Sequence, residues 1–160
     1  MKAVNIKEFG SAEMLEIIDI EIPAPSADEV LIKINAAGVN RPDIVQRKGH
    51  YPPPAGASPI LGLECAGEIV EVGKNVKQLK VGDQICALLS GGGYAEYATA
   101  FSGCCLPIPS SLNIKQAAAL PETYFTVWSN LFDRTKLKLG ETLLIHGQTS
   151  PRMRGEPTDD

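Results

Sequence analysis

Between residues 60 and 85 the chain alternates short runs of small, apolar and β-branched residues with glycine, ILGLECAGEIVEVGKNVKQLKVGDQI. That rhythm predicts strand, tight turn and strand rather than helix. Gly62, Gly67, Gly73 and Gly82 punctuate the run. Residues 73–75 are expected to turn through positive φ, and residues 81–83 to turn again into a strand over 84–88. Upstream, residues 2–9 and 15–22 predict two strands separated by a Gly10-Ser11 turn. The second changes phase: Leu15 and Ile17 share one face, Ile18, Ile20 and Ile22 the other, which predicts a bulge. Pro23 and Pro25 end it, and Glu29–Ala37 restores alternation with Val30, Ile32 and Ile34 on one side.

Asn40 is a good N-cap for a short helix over 41–48, with Pro42 in its first turn and Gly49 as its stop. The proline-rich loop 51–59 leads back to the central run. Beyond that run, Gly91, Gly92 and Gly93 turn the chain into a strand over 94–100, residues 106–109 are extended, and a sheet or barrel is closed by this point. Residues 113–120 and 122–135 read as helical, interrupted at Pro121, with Val127, Trp128, Leu131 and Phe132 on one apolar face. ETLLIH, residues 141–146, is a short apolar run of the kind found in a strand covered on both faces. After Gly147 the pattern stops. The last thirteen residues, QTSPRMRGEPTDD, carry two prolines and no apolar period, which predicts a disordered tail over 148–160. The fold class is mainly β with short helices.

Composition narrows the function classes. At 160 residues, 44% apolar and 21% charged, the chain can bury a substantial core. A net charge of −4 with no long basic run argues against nucleic acid and anionic membrane as partners. No signal or transit peptide is visible at MKAVNIKEFG, and no apolar run is long enough to span a bilayer, so the expected location is cytoplasmic. Cys65, Cys86, Cys104 and Cys105 form no C-x-x-C pair, in keeping with reduced thiols.

The order and spacing of several motifs resembles the medium-chain dehydrogenases and reductases. They are PILGLECAG at 59–67, Glu71-Val72-Gly73 and Val81-Gly82-Asp83. The resemblance implies a GroES-like substrate domain, the alcohol dehydrogenase N-terminal domain, over 1–110. Linking helices and a first Rossmann strand would follow over 111–147, and a tail outside the family pattern over 148–160. Where the zinc branch has a cysteine and a histidine, this chain has Asn40 and Leu63, neither a strong zinc ligand, and the four-cysteine structural lobe is missing. No metal site is therefore expected. AGVNRPD at 37–43, GHYPPP at 49–54, GGGY at 91–94 and AAALPE at 117–122 resemble the zinc-independent NADPH quinone oxidoreductase branch, the zeta-crystallin-like enzymes and their inducible subgroup.

What the resemblance implies is hydride transfer from NADP(H) to a small quinone or enone, with Asn40 and Tyr51 as the catalytic pair lining the pocket and facing the cofactor. Thr126 would lie beside the nicotinamide carboxamide and Gly147 in the phosphate turn. Taken singly, each residue has a plainer reading: Asn40 as a helix cap, Tyr51 as a loop aromatic, Thr126 as a helical threonine. Asp43 and Glu64 read as carboxylates hydrogen-bonded locally to backbone or arginine rather than as an acid and base pair. His50 and His146 carry no catalytic expectation, and Cys104 and Cys105 read as small buried hydrophobes.

The family's glycine-rich turn survives only as Gly147 and Ser150; Gln148 and Pro151 stand where glycines are expected, and Gly155 with Pro157 disfavours the crossover helix. Two functions from different classes follow. One is a quinone or enone reductase represented by its substrate domain and inactive alone. The other is a truncated, non-catalytic GroES-like binding module, in which Trp128, Phe132, Leu143, Leu144 and Ile145 lack cover and promote association or homo-oligomers.

Overall fold

The computed structural model describes residues 1–145. Two compact units divide the chain, Met1–Glu122 and the part beginning at Thr123. The first opens with an antiparallel ribbon of β1 (Lys2–Ile6) and β2 (Leu15–Asp19), joined through a 3-10 turn at Ala12–Met14. β3 (Glu29–Ala37), β4 (Glu64–Val72), β5 (Gln84–Leu88), β6 (Tyr97–Phe101) and β7 (Cys105–Pro107) build a five-stranded antiparallel sheet in the order β6-β3-β4-β5-β7. α1 (Arg41–Arg47) lies between β3 and β4, and α2 (Ile114–Ala117) follows β7. α3 (Pro121–Trp128) runs across the unit boundary into a π-helical turn, Ser129–Arg134.

Alternation along the central strands decides where the core sits. On β4 and β5, Cys65, Ile69, Ile85 and Ala87 face a cluster completed by Val30 and Ile32 of β3 and Ala98 and Ala100 of β6. Their neighbours Ala66 and Cys86 face the other way, onto Ala117 of α2 and Ala118. A strand with period two can meet cover on both faces only if both sets of positions are apolar, as they are here. The β3–β4 pairing slips between Leu31 and Ile32 and again between Ile34 and Ala36. Gly67 lies at the second slip, where an added Cβ would meet the Lys33 carbonyl oxygen and lie 2.9 Å from the Ile32 side chain.

Several expectations need correction. The bulge predicted in 15–22 is absent: β1 and β2 pair in unbroken register from Lys2 with Asp19 to Ile6 with Leu15, and the strand ends at Asp19. The irregularity belongs instead to β3 and β4. Gly73 does not take positive φ; a side chain there would run into the carbonyl oxygens of Ser26 and Ala27, so close approach of two backbones requires the glycine. Gly82, at φ 92°, does turn as expected. The strand expected from residue 94 begins at Tyr97, because Tyr94 N–H is committed to the Leu61 carbonyl at 2.9 Å. Residues 141–145 form no strand and are exposed: a strand is defined by its ladder, and no described strand lies beside them. Pro121 starts α3, consistent with proline's fitness for a first helical turn, rather than interrupting a helix. His146, Gly147 and the tail lie outside the described residues.

Candidate functional site

The candidate site lies in the first unit, where β3 runs into α1. Asn40 occupies the N-cap position with extended backbone, φ −120° and ψ 160°. Its backbone N–H donates to Asp43 Oδ2 at 2.8 Å, the reciprocal arm of a capping box. Its side chain reaches further: Asn40 Nδ2 donates to Glu64 Oε1 at 2.9 Å. Glu64, at the start of β4, is fully buried, and its Oε2 accepts the backbone N–H of Glu122 at 2.9 Å. Gly38 lies against this carboxylate, and a Cβ at that position would occupy the same space as Glu64 Oε1.

A second buried carboxylate sits beside the first. Asp43 accepts from Tyr94 Oη at 2.8 Å through Oδ2 and from the Gly62 N–H at 3.2 Å through Oδ1. Gly62 has φ 104°, and a Cβ there would lie 2.6 Å from the Gly93 Cα, so the glycines bring the loop before β4 against the loop before β6. Buried carboxylates are tolerated only when their oxygens find donors. Burial, then the neighbouring Asp43 charge, pushes the Tyr94 hydroxyl well above the usual phenol range. Burial, then the Glu64 and Asp43 charges, likewise raises the Glu122 carboxyl.

Asp43 and Glu64 are thus hydrogen-bonded, to backbone N–H groups and to the Tyr94 and Asn40 side chains. Beyond the capping bond these partners are distant in sequence, and neither of these side chains is the expected arginine. Asn40 is both a cap and part of this network. Tyr51 stands beyond the other end of α1, about 10 Å along a helix of this length. It is 45% exposed and lines a cavity of about 430 Å³ with Phe9, Gln46, Pro52, Pro53 and Pro59. The structure therefore sets Asn40 at the N-cap of α1 and Tyr51 in the loop beyond its other end. Thr126 belongs to the second unit, where it is exposed and its carbonyl oxygen accepts from Asn130 Nδ2 at 2.8 Å. Gly147 lies outside the described residues.

Sequence reasoning missed the linkage of Asn40 to Glu64 and of Asp43 to Tyr94. A signal existed: Glu64 stands in the otherwise apolar Leu63-Glu64-Cys65-Ala66 run, and a carboxylate inside a covered strand must be bonded to something. Leu63 offers no ligand atom and Asn40 only a neutral amide oxygen, so this pair does not suit zinc. Among the described residues, no group of three or more His, Cys, Asp or Glu is placed to hold a metal ion. No described helix is long and apolar enough to cross a membrane.

With this geometry, the match to known proteins is informative. Residues 26–110, more than half of the chain, match the alcohol dehydrogenase GroES-like domain. The chain belongs to that family. The GroES-like match includes β3, α1, β4 and Tyr94, and so the whole Asn40 network except Glu122. Quinone oxidoreductase of Mus musculus is 38% identical over 149 residues, covering 92% of this chain and 45% of the relative. Among solved structures, Escherichia coli quinone oxidoreductase complexed with NADPH superposes with a TM-score of 0.73 at 28% identity, over 84% of this chain and 41% of that one. The CurK enoyl reductase gives 0.75 at 28% identity, over 86% and 44%. The resemblance to the medium-chain dehydrogenases and reductases of quinone oxidoreductase type is thereby shown, as is the mainly β, GroES-like fold class. The chain spans about half the length of the curated relatives it matches.

Proposed function

We propose that this GroES-like chain is the substrate-side part of an NADPH-dependent reductase that acts on small quinones or enones without zinc. NADP(H), held with a nucleotide-binding part that the matched relatives' greater length accommodates, would supply the hydride. Tyr51 donates its hydroxyl to the acceptor oxygen, and Asn40 lines the pocket from the other end of α1. Thr126 and Gly147 are assigned to the cofactor side. The observation that carries the reading is the hydrogen bond from the half-buried Asn40 to the buried Glu64, which fixes a polar side chain at a position where the zinc branch would need a thiolate. Without a metal, positioning is the main contribution left to the protein, and correct placement of reacting partners is worth several kcal/mol. A cytoplasmic setting accompanies this reading.

The test is binding followed by turnover. Titration of the 160-residue chain with a fully substituted benzoquinone, which lacks free ring positions for thiol addition, is expected to saturate and to perturb the Tyr51 resonances. The chain alone is expected not to oxidise NADPH in the presence of that quinone. Absence of quinone binding into the millimolar range overturns the substrate assignment and favours the non-catalytic binding module.

A further inference from the structure

We propose that Glu64 is a positioning residue that sets the orientation of the Asn40 carboxamide. Both of its oxygens act as acceptors, one for Asn40 Nδ2 and the other for the Glu122 N–H. Because a carboxylate accepts and does not donate, the bond fixes which end of the Asn40 amide faces inward. The amino end points at Glu64, and the carbonyl end faces away from it. Gly38 confines the carboxylate from behind, since any side chain at that position would displace it. Asp43 meanwhile holds the backbone of Asn40 through the capping bond. The residue is thus held at two points by two buried carboxylates from different elements. A capping box uses only the Asp43 bond of these two.

This inference rests on the proposed role of Asn40 at the substrate pocket. It adds that the polarity presented by Asn40 is dictated from β4. No apolar side chain at position 64 can reproduce it, and glutamine can do so only by giving up the Glu122 N–H. Glutamine has one oxygen for two donors, and its amino end would face either the Asn40 amino group or the Glu122 N–H.

The first arm of the test uses the unaltered chain, labelled with nitrogen-15. One Asn40 Nδ2 proton is expected to exchange about tenfold more slowly than its geminal partner. Equal exchange of the two protons at the solvent rate overturns the proposal, whether or not any variant folds. The second arm measures the quinone affinity of Glu64→Leu, which has no acceptor for the Asn40 amide, in the unaltered chain and in Asn40→Ala. The expected result is about tenfold weaker binding in the first background and no change in the second, because Glu64 acts through Asn40. An equal loss in both backgrounds would assign Glu64 a general structural role and overturn the proposal. If no chain binds quinone, the substrate reading falls, and the exchange measurement still decides whether Glu64 orients Asn40.

Discussion

At the scale of single residues, the polar cluster around Asn40 makes stability depend on a few atoms. Gly38→Ala would drive a methyl group into the Glu64 carboxylate and should cost about 1–3 kcal/mol, read as a lowered midpoint in urea denaturation. An unchanged midpoint would mean that the carboxylate can move aside without loss. Glu122 presents the opposite case. Its carboxyl is raised by burial and by the Glu64 and Asp43 charges. The unfolded chain therefore gives up this proton at lower pH than the folded chain does, and the group lowers stability as pH rises through that window. Glu122→Gln should raise the unfolding midpoint at pH 7 and have little effect at about pH 3, well below the ordinary glutamate value of about 4.3, where the carboxyl is protonated in both states. Of the candidate site, Asn40 as a cap and the bonded state of Asp43 and Glu64 were legible from residue type and position. Their partners were not: Glu64 is 24 residues from Asn40 and Tyr94 is 51 from Asp43, and local pattern carries no information about such closures.

At the scale of elements, β3 and α1 were read almost to the residue, because strict alternation and an Asn cap followed by proline are local signals. Errors arose where tertiary contact decides. β2 ends at Asp19 although Ile20 and Ile22 continue its apolar pattern, and Gly73 is required by neighbouring carbonyls rather than by its own φ. The run at 141–145 looks like a strand to periodicity but has no described strand to pair with. The central strands carry a further expectation. Cys65 on β4, Cys86 on β5 and Cys105 on β7 are buried, while Cys104, in the turn before β7, is partly exposed. Burial, the largest cause at each, raises the thiols of Cys65 and Cys86 and pushes Cys105 up to about 12. In the native chain, a thiol reagent at pH 8 should therefore modify Cys104 and leave the other three until the sheet opens. Rapid modification of all four without denaturant would mean that β5 and β7 open readily. The sign for stability follows: unfolded thiols ionise from about 8.5 upward while the buried ones keep their protons, so stability should fall as pH rises from about 9 toward 12.

On the scale of the whole molecule, large apolar side chains are exposed in both units, Ile17 and Val39 of the first among them, but in the second they fall into a stripe. The first closes its sheet over a core on both faces. The second leaves Tyr124 64% and Trp128 61% exposed, with Phe132 also exposed. These aromatics recur every four residues along α3 and the turn after it, and the Trp128 and Phe132 rings lie 4.7 Å apart, so they form a stripe rather than scattered contacts. Leu139, Leu144 and Ile145 add exposed apolar area further along. Contiguous apolar surface of this kind drives association, and a net charge of −4 spread over 160 residues offers only weak opposition. The chain on its own should therefore self-associate across the micromolar range, with sedimentation velocity showing a mass that rises with concentration. Replacing the stripe through Trp128→Ser with Phe132→Ser should move the distribution toward monomer while leaving the β-sheet circular dichroism of the first unit intact. A monomeric mass at every concentration in the unaltered chain would mean that the stripe is covered in solution.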